Sequence, residues 1–274
     1  PKRERTLTMV SVEFHVPEFG DWPLLHGPSN IVDGYYRLET LERNWASEAL
    51  SRHRNKATVW YWLISLHSRA MLSGFNFDCS KEELLSHTLR MQLLGLGLVS
   101  SKAALDTLLA GYYSVAYATI GHMIESALLC RYAEEFPQAA RRFYRSRPGE
   151  PSSPRPRPMT VVSKLKGRYK KTRRMKDHTL VEDARRGWEA MSDGSHPSGI
   201  GIVQTLGERD GLGVLGATYH AELAEAGFRN GLTAAMLLVV DTGRLESQGE
   251  ECETELVQAQ LWQAEEFGVD PQGT

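Results

Sequence analysis

At 274 residues the chain is long enough for one large domain or two small ones, and its 41% apolar and 24% charged residues are ordinary for a globular protein. A net charge of -2 points to no partner by itself. Cys79, Cys130 and Cys252 are an odd number without C-x-x-C spacing, which argues against a disulfide framework or a zinc knuckle and for a reducing, cytoplasmic setting. The opening Pro-Lys-Arg-Glu-Arg-Thr lacks the apolar core of a signal peptide. No apolar run reaches the roughly 20 residues that a membrane span needs, so no membrane partner is expected.

Residues 1–34 read as an irregular N-terminal arm. Helices follow over about 35–53 and 57–72, and Gly74 ends the second. Ser80-Lys81-Glu82-Glu83 is a capping box, opening a helix to about Leu94 that Gly95 and Gly97 should end. Ser100-Ser101 offers a fresh cap for a long helix over 102–135, which stops before Pro137. A short helix over 139–145 comes next. Prolines at 148, 151, 154, 156 and 158 make that stretch a loop. Thr179-Leu180-Val181-Glu182 is a second capping box, for a helix through Met191 with Gly194 just past its end. A long helix over 216–242 follows, and acidic residues 250–266 form a last, peripheral one. The pattern is an all-α helical bundle of about seven helices, with 102–135 and 216–242 at its centre. In domain terms, 1–34 is the arm, 35–246 the bundle, and 247–274 an acidic C-terminal helix and tail.

Charge is unevenly spread. Between Arg141 and Lys176 there are fourteen Lys or Arg against one acid, Glu150. Such a block reads as a solvated loop held against the acidic C-terminal helix, as a footprint for the phosphates of RNA or another polyanion, or as a surface for acidic lipids or protein partners. For the second reading, the candidate nucleic-acid-binding residues are Arg141, Arg142, Arg145, Lys164, Lys166, Arg168, Lys170, Lys171, Arg173 and Arg174. Phe143, Tyr144 and Tyr169 lie among them and would allow base stacking.

The central helix is apolar nearly all round, except for one line at helical spacing: Thr107, Gly111, Ser114, Ala118, His122 and Glu125. A carboxylate among apolar neighbours needs a partner, so something should answer Glu125. Beside a His it can also serve acid–base chemistry. A second polar feature is the turn Met191-Ser192-Asp193-Gly194-Ser195-His196-Pro197, where Ser192 and His196 stand at a helix end.

These two segments carry a resemblance. Gly121-His122-Met123-Ile124-Glu125-Ser126-Ala127-Leu128-Leu129, with Tyr132-Ala133, Pro137 and Ala140-Arg141, resembles the R-x-x-x-E helix of HEPN-like bacterial helical proteins. Ala190 to Gly199 is similar to their L-S-x-x-x-H-P-S-G segment. The resemblance covers about 100 residues. It implies a bundle in which Glu125, Ser192 and His196 lie close together, RNA binding or processing in bacterial defence or stress, and a possible homodimer. The motif Arg is Gly121 here. The family's ribonuclease signature, Arg and then His after four to six residues, does not end at His196; one match runs from Arg173 to His178.

Three functions remain open at this level. In an RNA-binding or RNA-processing protein, His196 would be the acid–base group, Glu125, His122 and Ser192 would complete the site, and an Arg from 185–186 or 141–142 would stabilise phosphate charge. In a non-catalytic scaffold or regulatory protein, Glu125 and His196 would form a structural lock. A small-molecule pocket would use Trp60, Trp62, Tyr112, Tyr113 and Tyr117. No metal and no organic cofactor is expected, since zinc and di-iron motifs are missing. The one G-x-G-x-x-G, Gly211 to Gly216, has no strand ahead of it and reads as a turn.

Overall fold

The computed structural model describes residues 28–72, 81–144, 156–195, 206–209, 212–215 and 220–245. Seven helices and one hairpin make up these residues. In chain order they are α1 (Pro28–Leu72), α2 (Lys81–Leu109), α3 (Tyr113–Glu135), α4 (Pro137–Tyr144), α5 (Pro158–Lys171), α6 (Met175–Ser195), β1 (Leu206–Arg209), β2 (Leu212–Leu215) and α7 (Ala221–Gly243). The fold is an all-α bundle.

The chain divides into two compact units, Pro1–Asn44 and Trp45–Thr274. In the first, the described residues are the start of α1, so the stretch expected to be an arm is helical from Pro28 onward. Proline suits a helix start because it has no N–H to leave unpaired. Within this unit Arg43 reaches back one turn to Glu39 at 2.5 Å.

In the second unit α3 is the central helix, packed on α2, α5, α6 and α7. His53 leaves helical geometry within α1 (φ -120°, ψ 27°), at the position where the sequence predicts a helix end. Trp60, fully buried, donates its indole N–H to Ser101 Oγ at 2.9 Å and meets Phe228 edge-on at 6.1 Å. A Cβ at Gly231 would overlap the Trp60 ring, so glycine there lets α7 approach α1. Across this core run Leu63, Leu94, Leu105, Leu108, Ile120 and Leu238.

Several expected boundaries move. Gly95 and Gly97 do not end α2. A Cβ at Gly97 would run into Leu238, so this glycine serves close packing with α7. The break falls instead at Gly111, whose φ of 83° is open to glycine and strained for other residues. The expected helix over 102–135 is therefore split, with Thr107 on α2 and Ser114, Ala118, His122 and Glu125 on α3. Thr179 lies inside α6 and returns its hydroxyl to the Met175 carbonyl at 3.2 Å, so it is not a cap. Gly194 also lies within α6. β1 and β2 pair antiparallel, with Leu206 opposite Leu215 and Arg209 opposite Leu212. The sequence expectation of no sheet missed it, although Asp210-Gly211 between two apolar-containing runs is a hairpin signal. Of the described helices, α7 alone is long and apolar enough to cross a membrane, and here it is mostly buried as a core helix.

Candidate nucleic-acid interface

The basic segment is not all loop. Val161, Val162, Leu165 and Tyr169 recur at helical spacing and are buried, docking α5 onto α3 and α6. Pro158 opens the helix at its first turn, after Arg157 in extended geometry. The outward face carries Ser163, Lys164, Gly167, Arg168, Lys170 and Lys171. Arg168, Lys170 and Lys171 fill the last turn, where the helix dipole favours cations.

The turn into α6 has unusual chemistry. Arg174 N–H bonds the Tyr169 carbonyl at 2.9 Å and Arg173 N–H the Lys170 carbonyl at 3.3 Å. This is a Schellman ending, and its left-handed position is held by Arg173 (φ 57°) where glycine is usual. Such a conformation costs a residue with a Cβ about 1–2 kcal/mol. Gly167, in mid-helix, is costly too, by about 0.8–1.0 kcal/mol relative to Ala. Outside its own stretch of helix, no atom of a described residue lies within 4 Å of where its Cβ would be, so packing among these residues does not require it.

The cations separate into two groups. Some are answered. Lys166 and Arg185 both bind Glu182 and hold its carboxyl down at about 2, the Arg185 hydrogen bond being the larger cause. Arg168 reaches Glu135 at 3.2 Å. Arg174 binds Glu135 as well as Asp177, the latter at 2.7 Å. Lys164 Nζ donates to the Tyr132 hydroxyl at 3.2 Å. Besides Arg157 at the far end of α5, four others, Lys170, Lys171, Arg173 and Lys176, are exposed and have no anionic partner among the described residues. These four form a crest over the last turn of α5, the turn, and the first turn of α6.

Under the crest lies a buried ionic network. Arg131 on α3, 2% exposed, grips Asp241 on α7 with two contacts, Nε to Oδ2 at 3.1 Å and Nη2 to Oδ1 at 2.8 Å. Its Nη1 lies 3.4 Å from Asp177 Oδ1, which also takes Arg244. Burial pushes the Asp177 carboxyl up, but the Arg244 and Arg174 guanidiniums together outweigh it and hold it below the usual carboxylate range. Burial raises the Asp241 carboxyl, against the pull of Arg131 and Arg244. Beside them the fully buried Cys130 thiol is pushed up to about 12 by burial, so it is not a ready nucleophile. Tyr169, expected to stack bases, is buried with its hydroxyl pushed up to about 12 by burial, and the Arg174 guanidinium lies 4.7 Å above its ring. Sequence reasoning missed this network. The available signal was a lone charge in an apolar run, Arg131 after Leu128-Leu129-Cys130 and Asp241 after Leu237 to Val240.

The proposed Glu125 site comes together only in part. Glu125 is answered from α6, by the Trp188 indole N–H at 3.1 Å. His122 Nδ1 lies 4.0 Å from the other Glu125 oxygen, but its side chain is 64% exposed and not buried as the helix pattern suggested. Ser192 is on α6, half-buried. His196 lies outside the described residues, as do Arg145 and residues 246–274. Arg141 and Arg142 lie on α4. Arg185 is engaged by Glu182 and Glu189 on its own helix.

The aromatic pocket does not exist as expected. Trp60, Tyr113 and Tyr117 are core residues, with the Tyr113 hydroxyl accepting from His220 N–H at 2.9 Å and the Tyr117 hydroxyl donating to the Leu223 carbonyl at 2.8 Å. An open groove of about 420 Å³ lies instead between α1 and α2, lined by Ile64, Ser68, Leu98, Val99, Lys102, Ala103 and Asp106. Among the described residues there is no group of three or more His, Cys, Asp or Glu placed to hold a metal ion. No protein-family model, curated protein or solved structure matches the chain.

Proposed function

We propose that the protein binds RNA by its phosphate backbone, through the crest of Lys170, Lys171, Arg173 and Lys176. One observation carries this reading: four cations stand together, exposed and without acidic partners among the described residues, beside other cations that have them. Phosphates are the partner such a group lacks. The resemblance to HEPN-like proteins, with its implied action on RNA, supports the same conclusion. Fluorescence anisotropy with a labelled RNA tests it. Removing all four cations by alanine substitution should weaken binding at least tenfold at moderate salt. Unchanged affinity would sink the proposal.

RNA processing is the stronger form of this proposal. Arg173 sits in the turn and His178 in the first turns of α6, with the sequence spacing of the ribonuclease signature. RNA incubated with EDTA should be cleaved by wild type and spared by His178→Ala. If His122→Ala alone abolishes cleavage, the chemistry belongs to the Glu125 site.

A second reading, a scaffold in which Glu125 is a structural lock, is favoured by the Trp188 bond. It predicts that Glu125→Ala destabilises the fold by roughly 1 kcal/mol, the lower end of the effect of leaving a buried donor unpaired, since the Trp188 indole is only half-buried. An unchanged melting curve would refute it.

A further inference from the structure

The outward face of α5 allows the RNA partner to be narrowed. Thr160, Ser163, Lys164, Gly167, Lys170 and Lys171 lie on that face and are exposed. Near the middle is Gly167, where the surface is bare backbone with no neighbouring described residue within 4 Å of its Cβ position. Six residues on, Arg173 holds a left-handed conformation that glycine would take more easily. At both positions a more stabilising residue is available and no contact among the described residues explains its absence. Exposed positions that give up local stability in this way are expected where something else must approach or be touched.

Among the described side chains the face also lacks a stacking platform. Tyr169, the only aromatic of α5, is turned inward under Arg174. The large apolar side chains exposed nearby are Met159 and Met175. A single strand bound tightly without sequence preference ordinarily stacks its bases on aromatic rings. A double helix has its bases already stacked and offers phosphates and 2′-hydroxyls on a rigid surface. A straight helix of about 21 Å, at 1.5 Å for each of its residues, with hydroxyls toward one end and lysines toward the other, suits that surface.

We infer that the crest takes double-stranded RNA, with one sugar–phosphate strand lying across Gly167 between Lys164 and Lys171. This rests on the RNA-binding reading above. Gly167 is the closest approach, and Ser163 and Thr160 extend the contact by hydroxyl hydrogen bonds.

The test compares a 20-base-pair RNA duplex with a single strand of the same length, using the full chain and its Gly167→Gln and Gly167→Ala variants. Wild type should bind the duplex at least tenfold tighter than the single strand. Gly167→Gln should lose about tenfold on the duplex and little on the single strand, while neither variant melts at a lower temperature than wild type. Equal binding of both RNAs, or a duplex affinity untouched by Gly167→Gln, would overturn the duplex assignment and leave RNA binding standing. Binding of neither RNA would remove the RNA-binding reading itself. Should Gly167→Gln melt early, Gly167→Ala decides: a folded variant with duplex affinity below wild type supports the close approach, and an unchanged affinity refutes it.

Discussion

Arg131 and Arg173 have the same side chain and opposite surroundings. Arg131 is sealed between α3 and α7 with both forks of Asp241 and a contact to Asp177. Arg173 stands in the α5–α6 turn, exposed and in a strained backbone conformation. Between them, Arg174 and Arg168 bridge the two zones through Glu135 and Asp177. The difference shows that a charge count does not define a binding surface. The acids on facing helices do, by removing some cations from the surface electrostatics and leaving others. Within the block of fourteen basic residues, Lys170, Lys171, Arg173 and Lys176 stand together as a crest with no anionic partner among the described residues.

The contrast predicts opposite outcomes for charge removal in the two zones. The largest effect belongs to the buried one. Asp241→Ala leaves Arg131 buried and short of its partner, and should cost about 3–5 kcal/mol in a denaturant melt. The double variant Arg131→Met with Asp241→Leu should recover most of that, since a well-packed apolar pair avoids the desolvation of both ions. If the single variant melts like wild type, Arg131 and Asp241 do not form the lock described here.

A second buried group extends the contrast to pH. His67 is 2% exposed, its Nε2 has no hydrogen-bond partner among the described residues, and burial lowers its pKa to about 4. The unfolded chain binds this proton near pH 6.5, so it holds more protons than the folded one between about 6.5 and 4. Stability from this group is therefore full above pH 6.5 and falls as pH drops toward 4, by roughly 3 kcal/mol in all. Melts of His67→Leu across that range should lose this slope. A slope identical to wild type would mean that His67 takes up its proton in the fold as readily as in the unfolded chain.

Smaller effects are expected on the crest. Arg173→Gly should raise stability by up to about 1 kcal/mol by relieving the left-handed strain, yet weaken RNA binding by removing a cation. Stability and affinity moving the same way would break the proposed division. Lys170→Ala with Lys171→Ala should change stability by no more than about 0.5 kcal/mol, as exposed substitutions do.

Much of the bundle is legible in the sequence. Apolar spacing gives the helices, and even the interruption of α1 near His53 can be placed. What misleads is the reading of glycine and charge. Gly95 and Gly97 look like helix ends, but a helix tolerates glycine where a neighbour such as Leu238 needs the room. Val161, Val162, Leu165 and Tyr169 spell out α5, but the lysines and arginines between them dominate the composition and suggest a loop. At the candidate sites, the need of Glu125 for a partner can be read from its apolar surroundings. That the partner is Trp188 cannot, because it depends on how α6 crosses α3. The Arg131–Asp241 pair joins residues 110 apart, and only the lone charges in apolar runs announce it.

The salt dependence of RNA binding tests the central claim most directly, measured with melting temperature on wild type and on a variant with Lys170, Lys171 and Lys176 changed to alanine. If the crest holds phosphates, the logarithm of affinity falls with the logarithm of salt, and the variant's slope is shallower by about 0.7 for each lost cation on single strands, or about 0.9 on duplex. The melting temperature stays the same. An unchanged slope, or a loss of binding that merely follows a loss of folding, would contradict the account.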